Sequence, residues 1–166
     1  TEGITGVSAS HVEMNSGIQF FDGISTDDIQ QILIKSANDL ISLDSPNYQF
    51  VAARLLLFSL RKNLFHRLWE HPKFIDHIKK LIDLGLYDKG IIENYTEAEI
   101  DRMGMWIDHE RDYSFTYAGL RQVMDKYLVQ DRSTGEIFET PQFMYMMISA
   151  TLFAKYPTES RLQYVK

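Results

Sequence analysis

A mainly α-helical fold is predicted by three features of the sequence. Apolar residues recur three and four positions apart along most of the chain. Stretches of that kind open on capping hydroxyls or acids. One pair of short runs alone reads as strands.

The first helix is predicted from Ser10 to about Phe20, because Ser10-His11-Val12-Glu13 has capping-box spacing. Asp22-Gly23 is turn chemistry. A second helix starts near Ser25-Thr26-Asp27-Asp28, hydroxyl caps followed by acids that suit the positive end of the helix dipole. Its buried stripe is Ile29, Ile32, Leu33, Ala37, Leu40 and Ile41. Asp44-Ser45-Pro46 stops it, since proline disfavours helical geometry in the residue before it. The third helix, about Asn47 to Leu64, is apolar almost all round, as a central helix must be; Arg61 and Lys62 sit in its last turns, where cations suit the dipole.

A fourth helix runs from Pro72 to about Leu84 and ends at Gly85. A fifth, capped by Thr96-Glu97-Ala98-Glu99, runs towards Ile107, and a sixth spans about Tyr117 to Lys126. Tyr127-Leu128-Val129-Gln130 and Glu136-Ile137-Phe138-Glu139, joined by residues 131–135, predict a small β-hairpin. Thr140-Pro141 opens a helix through Phe153, and Thr158-Glu159 opens the last.

Composition excludes several functions. A net charge of −6 without a dense basic stripe argues against nucleic acid as a partner. The absence of cysteine removes disulfides, thiolate zinc sites and thiol nucleophiles, and fits the cytoplasm. No run is long and apolar enough for a membrane span, and the opening Thr1 to Gly6 is not a signal peptide. The start at Thr1, and an end at Leu162–Lys166 inside an amphipathic pattern, give the expectation that the chain is a fragment.

Candidate chemistry is sparse. His109-Glu110-Arg111-Asp112 resembles half a metal motif, but it lacks the second histidine and has Arg111 as a competing counter-ion, so a salt-bridge network is the simpler reading. His66, His71 and His77 are spaced five and six apart, which does not line one helical face, and read as independent surface residues. Met144, Met146 and Met147 read as core. No catalytic residue and no metal ligand is assigned.

One constellation comes from geometry. The short turn between the second and third helices makes them an antiparallel pair, so residues equidistant from about Asp44 face each other. Thr26 then faces Lys62, and Gln30 faces Phe58 about 6 Å (one helical turn) away. A hydroxyl, free helix amides and a lysine favour a phosphate, and the aromatic ring suits a base or ribose. Capping and core packing fit the same residues.

The runs Asp22-Gly23-Ile24, Thr26-Asp27-Asp28-Ile29, Ile34-Lys35-Ser36-Ala37, residues 46–54 and Leu60-Arg61-Lys62 resemble the ATP-cone module. Together with Ile107–Asp112, Lys126–Asp131, Thr134–Ile137, Pro141-Gln142-Phe143 and Arg161–Lys166, they are similar to the large (alpha) subunit of class I ribonucleotide reductase. The resemblance implies a partial ATP-cone helical bundle at residues 1–65, followed at residues 66–166 by a helical domain with one small β-hairpin that leads to an absent catalytic barrel. For the whole subunit it implies reduction of ribonucleoside diphosphates to deoxyribonucleotides, switched by ATP and dATP with Mg2+. Its implied partners are the remainder of the large subunit, a second large subunit and a radical-bearing small subunit. Thr26, Lys62 and Phe58 match family nucleotide contacts, with Asp28 in support. Gln30 stands where the family has histidine, a departure at the phosphates. The cone's basic hairpin and first helix have no counterpart before Glu2, so the fragment is expected to bind nucleotide weakly or not at all, and to be inactive alone. The alternative is a stand-alone helical adaptor, or one half of a split subunit.

Overall fold

The structure, a computed structural model, describes residues 2–17, 21–66 and 70–166. Among these residues the fold is helical: α1 (Ala9–Gly17), α2 (Thr26–Asp39), α3 (Tyr48–Phe65), α4 (Phe74–Asp83), α5 (Gly90–Asn94), α6 (Glu97–Trp106), α7 (Tyr117–Lys126), α8 (Pro141–Phe153) and α9 (Arg161–Val165). A 3-10 turn, His109–Ser114, lies between α6 and α7.

Local chemistry explains most of the boundaries. Thr96 and Glu99 form the expected capping box at α6. Thr116 and Thr140 cap α7 and α8, with Pro141 in the first turn of α8. Gly85 (φ 71°) ends α4 in a Schellman turn: Leu86 N–H reaches the Leu81 carbonyl at 2.8 Å, and Gly85 N–H reaches Ile82 at 2.9 Å. The first helix departs from expectation, beginning at Ala9 rather than at a Ser10 cap. The Tyr48 hydroxyl takes the preceding Ser8 N–H at 3.0 Å and lies 3.1 Å from His11 Nδ1, so a tertiary contact fixes this end. The expected extension to Phe20 falls outside the described residues. The last helix starts at Arg161, after Thr158-Glu159 is spent in a turn.

The expected β-hairpin is corrected to one antiparallel bridge, Gln130 with Ile137. The first run is partly committed elsewhere. Leu128 N–H completes the end of α7 on the Val123 carbonyl, and Val129 N–H donates to the Glu139 carboxylate at 2.7 Å. With these two N–H groups diverted, pairing stops at the bridge and the bonds beside it, Asp131 N–H to Glu136 at 2.8 Å and Phe138 N–H to Val129 at 2.9 Å.

α3 is central, as its apolar sequence requires. Leu56, Leu57 and Leu60 join Ile34 of α2 to Leu120, Val123 and Met124 of α7 in one cluster, which also takes in Met144 of α8. A second cluster packs α4, α6, α8 and α9 through Ile78, Ile100, Met103, Phe143 and Val165. A third seats α1 on α2 and α3 through Val12, Ala37 and Ala52. The residue-65 boundary coincides with the end of α3, while the apolar cluster around α3 continues into α7 and α8.

Candidate functional site

α2 and α3 pack as an antiparallel pair, and their open end brings the expected residues to one pole. Lys62 Nζ, in the last turn of α3, lies 2.9 Å from Oδ1 of Asp27, the residue after Thr26 in α2. One turn inward, Gln30 Nε2 donates to the Leu55 carbonyl at 2.9 Å. Thr26 is exposed, and Phe58 leaves 38% of its surface in solvent although most of α3 is covered. Lys62 thus meets the start of α2, where Thr26 lies, while Gln30 pairs with Leu55 rather than facing Phe58, which lies one turn before Lys62 on α3.

The pole differs from the expectation in two details. The cap is Ser25 alone: its Oγ accepts Asp28 N–H at 3.1 Å and donates to Asp28 Oδ2 at 2.7 Å, so Thr26 is the first helical residue. Asp28 closes the cap. Sequence reasoning also missed Asp27 as the partner of Lys62, although acids in the first turn of α2 were the available signal. The pole juxtaposes no nucleophile with a general base, so no reaction follows from its geometry.

A second polar assembly ties this pair to the rest of the chain. Arg61 does not face solvent at a helix end. Its guanidinium is buried, 2.5 Å from the His109 carbonyl and 3.2 Å from both Asp112 Oδ2 and the Tyr113 hydroxyl. Gln142 Nε2 donates to Asp112 Oδ1 at 2.8 Å. The buried partner of Asp112 is thus Arg61, while Arg111 makes an exposed 3.9 Å contact with Asp108. Burial pushes the Asp112 carboxyl above its ordinary range, against the pull of Gln142 and Arg61.

His66 is exposed as expected, but the reading of His71 and His77 is corrected. His71 stacks on His109 with ring centroids 3.7 Å apart, and His77 lies 4.3 Å from the Phe143 ring, itself edge-on to His109. They come from separate elements, so helical spacing could not reveal the cluster. Burial lowers His71 and His77 to about 4, aided by Arg61 at His71 and by Lys80 at His77. Burial also lowers His109 to about 3, with His71, Arg61 and His77 adding to the effect. A cavity of about 380 Å³ opens beside His71, Lys73, Phe74, Met105 and His109.

Among the described residues, no three His, Asp or Glu side chains are grouped to hold a metal. No described helix is long and apolar enough to cross a membrane.

Comparison with known proteins gives a family. Residues 113–166 match the family model described as "Ribonucleotide reductase, all-alpha domain". Over 165 residues, 99% of the chain, it is 52% identical to ribonucleoside-diphosphate reductase 1 subunit alpha of Escherichia coli. It is likewise 52% identical over 165 residues to the subunit alpha of Haemophilus influenzae. Over 162 residues it is 44% identical to the subunit alpha of Enterobacteria phage T4. The chain spans only 22%, 22% and 21% of these relatives' lengths.

Proposed function

The chain belongs to the alpha-subunit family of class I ribonucleoside-diphosphate reductases, corresponding over its whole length to their N-terminal region, and on that premise we propose that it is the nucleotide-responsive, non-catalytic part of such a subunit. The activity it serves is reduction of ribonucleoside diphosphates to deoxyribonucleotides in the cytoplasm. Its own contribution is to bind ATP or dATP, carried with Mg2+, at the α2–α3 pole. The observation that carries this reading is a lysine held at the amino end of α2 beside a half-exposed phenyl ring, one turn from Gln30. Lys62 and the first amides of α2 offer charge to phosphates, and Phe58 offers a face to the base or ribose.

Its partners are the remainder of the large subunit, a second large subunit and the radical-bearing small subunit. The first of these is supported by α8, which is apolar on nearly every side yet leaves Tyr145, Ile148 and Leu152 exposed along one stripe. A helix of that composition is ordinarily covered on all sides. A covering segment on a separate chain, as in a split subunit or an adaptor, would use the same stripe.

Lys62→Ala in the large subunit is expected to weaken ATP and dATP binding about 10- to 100-fold in titration calorimetry, the effect of losing one charge-assisted contact. Unchanged affinities would remove Lys62 from the site.

A further inference from the structure

Resting on the nucleotide reading of the α2–α3 pole, we propose that Asp27 is an internal competitor for Lys62, a carboxylate that triphosphate must displace and that thereby sets how tightly this site binds nucleotide. The ammonium of Lys62 does not wait in solvent. It is held at 2.9 Å by Asp27, whose side chain is 78% exposed against 39% for Lys62. The more exposed partner is the acid, so the pair sits where an incoming phosphate would meet it.

The rest of the pole strengthens the competition. The side-chain amide of Gln30, the other donor facing this end, is spent on the Leu55 carbonyl. Asp28 adds a second carboxylate, tied to Ser25 at the cap. These acids already answer the positive end of the α2 dipole and the first amides, the features that make a helix start attractive to anions. A polyphosphate approaching this end meets one lysine already paired and two carboxylates close by. Binding must free Lys62 from Asp27, and must then place phosphate oxygens near the released carboxylate. The first step costs little because the pair is exposed. The second adds like-charge repulsion at close range. Together they amount to about tenfold in affinity.

Asp27→Asn removes the charge and keeps the shape. The test titrates Mg-ATP and inorganic triphosphate separately into the 166-residue chain. It uses the native sequence, Asp27→Asn, Asp27→Ser and Asp27→Asn with Lys62→Ala, following amide resonances to reach weak affinities. Both single variants are expected to bind each probe about tenfold more tightly than the native chain, with the gain shrinking as salt is raised. The double variant is expected to lose the gain, because the released lysine is what the gain depends on. Circular dichroism checks that each variant keeps its helix content, and Asp27→Ser stands in if the asparagine variant does not. Native-level binding by both single variants would overturn the proposal while leaving the nucleotide site in place. Weaker Mg-ATP binding with unchanged triphosphate binding would overturn it in favour of Asp27 as a magnesium ligand. Absence of binding in every protein, the charge-removed variants included, would take away the nucleotide reading and the competitor with it.

Discussion

Arg61→Met is expected to lower the unfolding free energy by about 3–5 kcal/mol, the largest effect of any single substitution considered for this chain. The Arg61 side chain is 5% exposed and that of Asp112 fully covered. The guanidinium satisfies the His109 carbonyl, the Tyr113 hydroxyl and one oxygen of Asp112, and lies over the Tyr113 ring at 5.2 Å. Methionine fills much of the same volume but leaves the Asp112 carboxylate buried with Gln142 as its remaining partner. An uncompensated buried charge accounts for the size of the loss, whereas the net contribution of the intact pair is much smaller. Arg61→Met combined with Asp112→Leu is therefore expected to recover most of the stability, a non-additivity that urea unfolding would read directly. Arg111→Met, at the exposed contact with Asp108, is expected to change stability by no more than about 0.5 kcal/mol. Equal losses from Arg61→Met and the double variant would show that the shape of Arg61 matters and its charge does not.

Stability is expected to fall steeply as pH drops from about 6.5 to about 4, because three histidines are folded into the protein uncharged. Unfolded, each takes a proton near 6.5; folded, His71 and His77 do so near 4 and His109 near 3. Between those values the unfolded chain binds more protons, so acid favours it, and the contribution is complete only above about 6.5. His77, 3% exposed, contributes about 3 kcal/mol across this window, and the less covered His71 contributes less. Asp112 and Glu139 act in the opposite sense. Burial raises both carboxyls, against hydrogen bonds from Gln142 and Arg61 at Asp112 and from Tyr87 and Val129 at Glu139, so the folded chain accepts their protons more readily and part of the acid loss is offset. His77→Phe isolates the histidine effect. It keeps an aromatic ring against Phe143 and should lower the slope of stability against pH by about one proton, or about 1.4 kcal/mol per pH unit, between about pH 4.5 and 6. An unaltered slope would mean that His77 does not govern the acid response.

What was legible in the sequence was local. Pro141–Phe153 was legible because Thr140-Pro141 marks its start, and the approximate Tyr117–Lys126 matches the helix found. The antiparallel pairing of α2 and α3 was legible because a short turn leaves two adjacent helices little else to do. That pairing placed Lys62 at the start of α2, beside Thr26, but not Gln30 opposite Phe58, since Gln30 pairs with Leu55. What stayed hidden was non-local. Arg61 and Asp112 are 51 residues apart, and a cation in a last helical turn already has a local explanation that conceals a buried partner. His71 and His109 stack although they lie 38 residues apart, a separation that no helical period connects. The hairpin failed for a related reason: its alternation was genuine, but the claims of α7 and Glu139 on the same backbone groups come from tertiary structure. The five-residue α5 has neither a side-chain cap nor a long enough apolar pattern to be read in advance.

The central proposal is that the pole shared by the start of α2 and the end of α3 receives an adenine nucleotide. Amide chemical shifts of the 166-residue chain, followed as Mg-ATP is raised well into the millimolar range, address it directly. The account predicts weak, saturable shifts confined to residues 25–30 and 58–62, with little movement beside His71 and His109. Saturable shifts centred elsewhere would contradict it.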